Sequence, residues 1–201
     1  MIADAFPAPP AMVGEAFAQL AVARFGDEEQ RDELGPLENL PRPWDPVTCP
    51  PTLRREVWLW LDAVAAWINR GYSWQPDRTI PACWPAHPHI ARELAVLACL
   101  RRDASEALTA DVLESWHRYA LPMFLDRMAA RLGSGCQPGR HPDWPGGGRY
   151  HEFTAAQAVD RRTEVFAGDV GPECWGAGTS PTPARPRLTV VDPGSRGRGP
   201  T

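Results

Sequence analysis

The sequence predicts a mostly α fold: a compact, Trp-rich unit of three to four helices between disordered N- and C-terminal arms. Three observations predict it. Apolar residues recur at helical spacing across residues 53–71, 90–100 and 112–132. Seven of the nine tryptophans lie between residues 50 and 152, where a core has to be. The 23 prolines and 17 glycines crowd toward the two ends, and such composition buries too little apolar surface to order a chain. The expected organisation is a Pro-rich acidic arm over residues 1–49, a helical domain over 50–152, and a largely disordered Pro/Gly-rich tail over 153–201. Residues 50–152 are then expected to fold without the arms.

Within the N-terminal arm, Val13, Phe17, Leu20 and Arg24 share a helical face, which gives a short amphipathic helix over residues 12–25. The acidic run from Asp27 to Glu33 reads as a solvated helix end. Leu40-Pro-Arg-Pro-Trp-Asp-Pro through Cys49-Pro-Pro reads as an extended linker.

Residues 53–71 carry the clearest helix. Thr52 is the expected N-cap and Gly71 the expected stop. Leu53, Val57, Trp60, Leu61, Val64, Trp67 and Ile68 form one apolar stripe, with Trp58 and Leu59 beside it. In the following loop Trp74, Ile80 and Trp84 are expected to fold back and pack. A second helix opens at His87-Pro88 and runs to Arg101-Arg102; it is apolar nearly all round, which marks the central helix. A third starts at Thr109 or Ala110, with a core stripe of Val112, Trp116, Tyr119 and Met123. Beyond Pro122 the stripe re-phases to Leu121, Phe124, Leu125, Met128 and Leu132, so a kink or break is expected there. Residues 154–166 read as a brief helix, and 168–201 as disordered.

Charge and motifs narrow the function by exclusion. The net charge is −4, and residues 53–150 hold twelve arginines against ten acids, too small an excess for a strongly basic nucleic-acid binder. The chain has no lysine, hence no phosphate-binding Gly-x-x-x-x-Gly-Lys loop, and it lacks Gly-x-Ser-x-Gly and His-Glu-x-x-His. The start carries no positive n-region and no span suits a bilayer. Five cysteines, odd in number and without a Cys-x-x-Cys pair, fit reduced thiols. The expectation is a cytoplasmic protein with no membrane partner.

Four sets of candidate residues remain. Trp58, Leu59 and Trp144 are the candidate protein interface. Arg127, Arg131, Arg140 and Arg149 form a candidate nucleic-acid patch, weak and salt-sensitive. Glu114 and His117, three residues apart on a helix, are the one acid–base pairing. Cys83-x₃-His87 and Cys136-x₄-His141 make the one metal-like constellation. An antiparallel third helix would return Cys136 toward the start of the second. The expectation there is closeness without zinc and no cofactor, with His87 capping the helix.

The run Ile80-Pro-Ala-Cys-Trp-Pro-Ala-His-Pro-His-Ile-Ala-Arg-Glu-Leu-Ala-Val-Leu97, with Glu114-Ser-Trp-His-Arg-Tyr-Ala-Leu-Pro122 and Cys136-Gln-Pro-Gly-Arg-His141, carries a resemblance. Over roughly residues 55–145 it resembles an uncharacterised actinobacterial family of small proteins encoded on plasmids, integrative elements and phages. The resemblance implies a mobile-element or conjugation setting and no particular mechanism. The function expected is therefore that of a non-enzymatic binding or accessory protein with a protein partner. A weak nucleic-acid-binding accessory protein is the alternative, and a small enzyme around Glu114 and His117 the second.

Overall fold

The computed structural model describes residues 4–132, Cys136, His141 and residues 143–171. It is mostly helical, and no strand occurs among the described residues. The chain divides into two compact units, Met1–Asp143 and Trp144–Thr201. The boundary falls nine residues earlier than the sequence suggested, because Trp144 stacks on Tyr150 at 5.4 Å and so belongs with the helices that follow it.

In the first unit, helix α1 (Ala11–Phe25) follows Pro9-Pro10 and buries Val13, Ala16 and Phe17, which share one face at i, i+3 and i+4. A capping box starts α2 (Glu28–Asp32): the Gln30 amide donates to the Asp27 carboxylate at 2.9 Å, and the Asp27 amide donates back to Gln30 Oε1 at 3.0 Å. The acidic run is solvated there, as read.

Residues 4–49 pack against the helices that follow and do not form a free arm. Phe17 meets Trp60 edge-on at 6.0 Å, and Phe6 meets Trp67 edge-on at 5.2 Å. The Trp60 indole donates to the Pro7 carbonyl at 2.9 Å, and that of Trp67 to the Asp4 carbonyl at 3.0 Å. The proline run also differs from an extended linker. It folds into short 3₁₀ turns at Leu37–Asn39 and Pro46–Thr48, with Leu40, Pro43, Pro46 and Cys49 buried. Proline density signals disorder only where the prolines find no apolar surface to cover, and here α1 and the turns cover Trp60.

Helix α3 (Pro51–Gly71) buries Leu53, Val57, Trp60, Leu61, Val64, Ala65 and Ile68, essentially the predicted stripe. Its cap is Pro50 rather than Thr52: Pro51 fills the first helical position, where a missing N–H costs nothing. In the following loop Ile80 and Trp84 pack inward, but Trp74 stays 94% exposed. The difference lies in anchoring. Asn69 clamps both backbone groups of Ile80, at 2.8 and 2.9 Å, and the Trp84 indole donates to Asp62 at 3.2 Å.

Helix α4 (Pro88–Glu106) is the central one and runs a turn past Arg101-Arg102. It buries Ile90, Ala91, Leu94, Ala95, Leu97, Ala98 and Cys99, leaving Val96 and Leu100 on an open side. Antiparallel cover comes from α5 (Asp111–Ser115), a π-helical turn (Trp116–Ala120) and α6 (Leu121–Leu132). The expected break at Pro122 is replaced by that π turn. Pro122 brings no N–H to the ladder, and one extra residue per turn absorbs the defect without ending the helix. The re-phased stripe of Leu121, Phe124, Leu125 and Met128 is buried as read. Of the expected stripe of Val112, Trp116, Tyr119 and Met123, only Trp116 is buried, and the other three are exposed.

The second unit contains α7 (Gly147–Thr154) and α8 (Ala156–Val170). The Arg162 guanidinium lies 3.9 Å over the Phe153 ring and donates to its carbonyl at 2.8 Å. The expected helix over 154–166 is present, slightly longer. The expected disorder lies outside the described residues from 172 onward.

If residues 4–49 complete the core, Phe17→Ala should cost about 3–5 kcal/mol, the range for emptying a buried aromatic site. Chemical denaturation measures it, and a change below about 1 kcal/mol would return α1 to the status of an arm.

Candidate metal centre and an apolar groove on the central helix

Both ends of the four-residue spacing between Cys83 and His87 are set by a single 3₁₀ turn, Trp84–Ala86, held by Pro85 and by the Ala86 amide donating to the Cys83 carbonyl at 2.9 Å. That turn leads straight into α4, with His87 at the N-cap position and Pro88 behind it. Cys136 and His141 come from the segment after α6, which returns to the same corner. The Cys83 and Cys136 sulfurs lie 2.9 Å apart, and His87 Nε2 is 3.5 Å from the first and 3.4 Å from the second. His141 Nδ1 is 3.9 Å from Cys136 Sγ, and all four ligand atoms fall within 4.8 Å of one another.

The predicted closeness is therefore present, but the predicted capping is not. The His87 side chain makes no cap hydrogen bond; its Nε2 is directed at the two sulfurs. Burial, followed by the neighbouring His141 and His89, lowers the His87 pKa and favours the neutral, ligating imidazole. The hydrogen bond with Cys83, with burial adding to it, pushes the Cys136 thiol up to about 11.

Along α4 lies a feature that sequence reading missed. An open cleft of about 580 Å³ runs between α4 and the α5–α6 rod, walled by Val96 and Leu100 on one side and Val112, Tyr119 and Met123 on the other. Trp116 and Phe124 close its floor, and the Trp116 indole donates to the Leu97 carbonyl at 3.1 Å. The signal was present in the Val112, Tyr119 and Met123 stripe. Periodicity identifies an apolar face but not whether the chain covers it. Arg92, Glu93 and Arg127 stand at one end of the cleft.

Other candidates are dispersed. Trp58 and Leu59 are partly exposed on α3 around a shallow recess with Pro51, Arg54 and Arg55, and Trp58 leans on Trp84 at 6.2 Å. Trp144, 66% exposed, belongs to the second unit. Arg127 and Arg131 both clasp Glu93, the first at 2.8 Å, which spends much of their charge inside the fold. Arg149 sits on α7 in the second unit, and Arg140 lies outside the described residues. Glu114 and His117 turn to different partners: the Glu114 carboxylate pairs with Arg118 at 3.5 Å, while His117 Nε2 meets the Tyr72 hydroxyl at 3.2 Å. Among the described residues, no helix is long and apolar enough to cross a membrane.

No family model, curated protein or solved structure matches this chain.

The Glu93 clasp has a measurable sign. Burial raises its carboxyl pKa, but the hydrogen bonds and charges of Arg127 and Arg131 outweigh this and leave it below the usual range. His89, one turn back on α4, is held below its usual pKa by burial first and then by Arg131, with Glu93 opposing. A depressed carboxylate stabilises the fold above its unfolded pKa and loses that contribution as pH falls through the folded value. Glu93→Gln should cost up to about 1 kcal/mol at neutral pH, and the gap to wild type should narrow as pH falls below the ordinary carboxylate range. Denaturation at neutral and at acid pH checks it, and a gap independent of pH would contradict it.

Proposed function

We propose that this chain is a non-enzymatic helical binding module whose working surface is the groove along α4. The observation that carries this reading is a single cleft in which exposed aliphatic and aromatic residues from two antiparallel helices face each other across a closed apolar floor. Two helices at this separation form a seat for a third, and Val96, Leu100, Val112, Tyr119 and Met123 offer the contacts that an amphipathic helix makes through its i, i+4, i+7 face. A π turn in one wall supports a working role, because this costly geometry recurs at functional sites. It presents Tyr119 at the rim and keeps Trp116 in the floor.

The partner is a protein segment of stated chemistry: an amphipathic helix, apolar on one face, with an acidic residue at the end that meets Arg92. Arg127 at the same end is already neutralised by Glu93, whereas Arg92 has no salt bridge among the described residues. The resemblance to the actinobacterial plasmid, integrative-element and phage family adds a setting, an accessory role on a mobile genetic element. The Arg-patch reading draws little support, since two of its members are bound to Glu93. The enzyme reading draws little from Glu114 and His117, which face separate partners in exposed positions.

Selection of a displayed helical-peptide library on the full chain tests this. Selected peptides should carry apolar residues at helical spacing with an acidic flank, and Met123→Asp or Leu100→Asp should weaken binding at least tenfold. Both residues are about half exposed, so folding should survive. Peptides without helical patterning, or binding unchanged in both variants, would reject the groove.

A further inference from the structure

We infer that Cys83, His87, Cys136 and His141 form a structural zinc site that ties the chain after α6 to the start of α4. This is separate from the groove reading and stands on the geometry of that corner alone. Zinc binds four nitrogen and sulfur ligands at the corners of a tetrahedron. With zinc–sulfur bonds of about 2.3 Å and zinc–nitrogen bonds of about 2.0–2.1 Å, its edges are about 3.3–3.8 Å. Three of the four sulfur–nitrogen separations, at 3.4, 3.5 and 3.9 Å, lie within or just beyond those edges, and no two ligand atoms are more than 4.8 Å apart. The two sulfurs, at 2.9 Å, stand closer than an edge, and coordination would part them by less than 1 Å.

The ligand set selects the metal. Two thiolates with two imidazoles suit zinc, whereas calcium and magnesium demand oxygen. None of the four side chains is needed elsewhere. His87 does not cap α4, and the hydrogen bonds of Cys83 and Cys136 stay within the cluster. On binding, each thiol releases its proton to solvent and four bonds form to the ion. Two thiolates then balance the dication, and the corner is electrically neutral. With four protein ligands no position is left for a reacting water, which makes the site structural rather than catalytic. Its work is mechanical. The ion joins two segments 53 residues apart in the chain, so that α6 is held along α4 at the end of the rod where Met128 and Leu132 pack.

The nearest competing occupant of this geometry is a Cys83–Cys136 disulfide, which would leave both histidines without a role. The experiment distinguishes the two. The full chain is purified from cells without chelator and under thiol reductant, and its metal content is measured. About one zinc per chain is expected, with near-complete loss in Cys83→Ser and in His141→Ala. His151→Ala, on the second unit, should keep its zinc. Because a ligand variant can also lose metal by unfolding, the wild-type chain is refilled with cobalt. A tetrahedral site with two thiolates then shows intense visible d–d bands together with sulfur-to-metal charge transfer. Removing the ion should lower the thermal midpoint, and readding zinc should restore it. Substoichiometric metal, a cobalt spectrum without thiolate character, zinc retained in His141→Ala, or a Cys83–Cys136 disulfide under reductant would each overturn the inference.

Discussion

Everything else in the first unit depends on how closely other segments approach α4. Ala91, Ala95 and Ala98 are buried on it, and such small residues let α3 and the α5–α6 rod pack near the helix axis. Leu94 and Ile90 fill the remaining space on the same turns. The helix also anchors polar groups. Arg101 lies over the rings of Phe6, Trp67 and Trp116, at 5.2, 5.6 and 5.7 Å, joining the N-terminal segment, α3 and the π turn. Its N-terminus meets the corner of Cys83, His87, Cys136 and His141, and its uncovered side is the groove. One helix thus borders the core, that corner and the groove.

A core built on tryptophan has a particular cost. Each indole carries an N–H that must find an acceptor when buried, and leaving one unpaired costs about 1–3 kcal/mol. Here each is met. Trp60 donates to Pro7, Trp67 to Asp4, Trp84 to Asp62 and Trp116 to Leu97. Two of these acceptors are backbone carbonyls in the first seven residues. The N-terminal segment therefore supplies polar satisfaction as well as apolar cover, and its loss would expose aromatic surface and remove the acceptors of two indole N–H groups together.

How much of this was legible in the sequence follows from the range of each interaction. The α3 stripe was readable because Leu53, Val57, Trp60, Leu61, Val64 and Ile68 obey a local period. The re-phasing after Pro122 was readable for the same reason, although the π turn that achieves it was not, since a missing N–H is met equally well by a kink. The packing of residues 4–49 was hidden because its aromatic partners lie more than 40 residues away and its prolines suggest an unfolded linker. The metal candidates were legible as two short local pairs, and their closeness followed from an antiparallel third helix, whereas the turning of His87 to the two sulfurs instead of the helix end is a tertiary outcome. The groove was misread for a deeper reason. An apolar stripe that the chain leaves uncovered looks the same in sequence as one that it buries, and Val112, Tyr119 and Met123 have no local feature that tells them apart.

Native-state amide hydrogen exchange on the full chain tests the central claim, that α4 and the N-terminal segment form one cooperative core. The amides of Val13 to Phe17 should exchange with the same opening free energy as those of Leu94 to Cys99, because both require global unfolding. Exchange of the α1 amides through a separate, much lower-energy opening, with α4 still protected, would contradict the account.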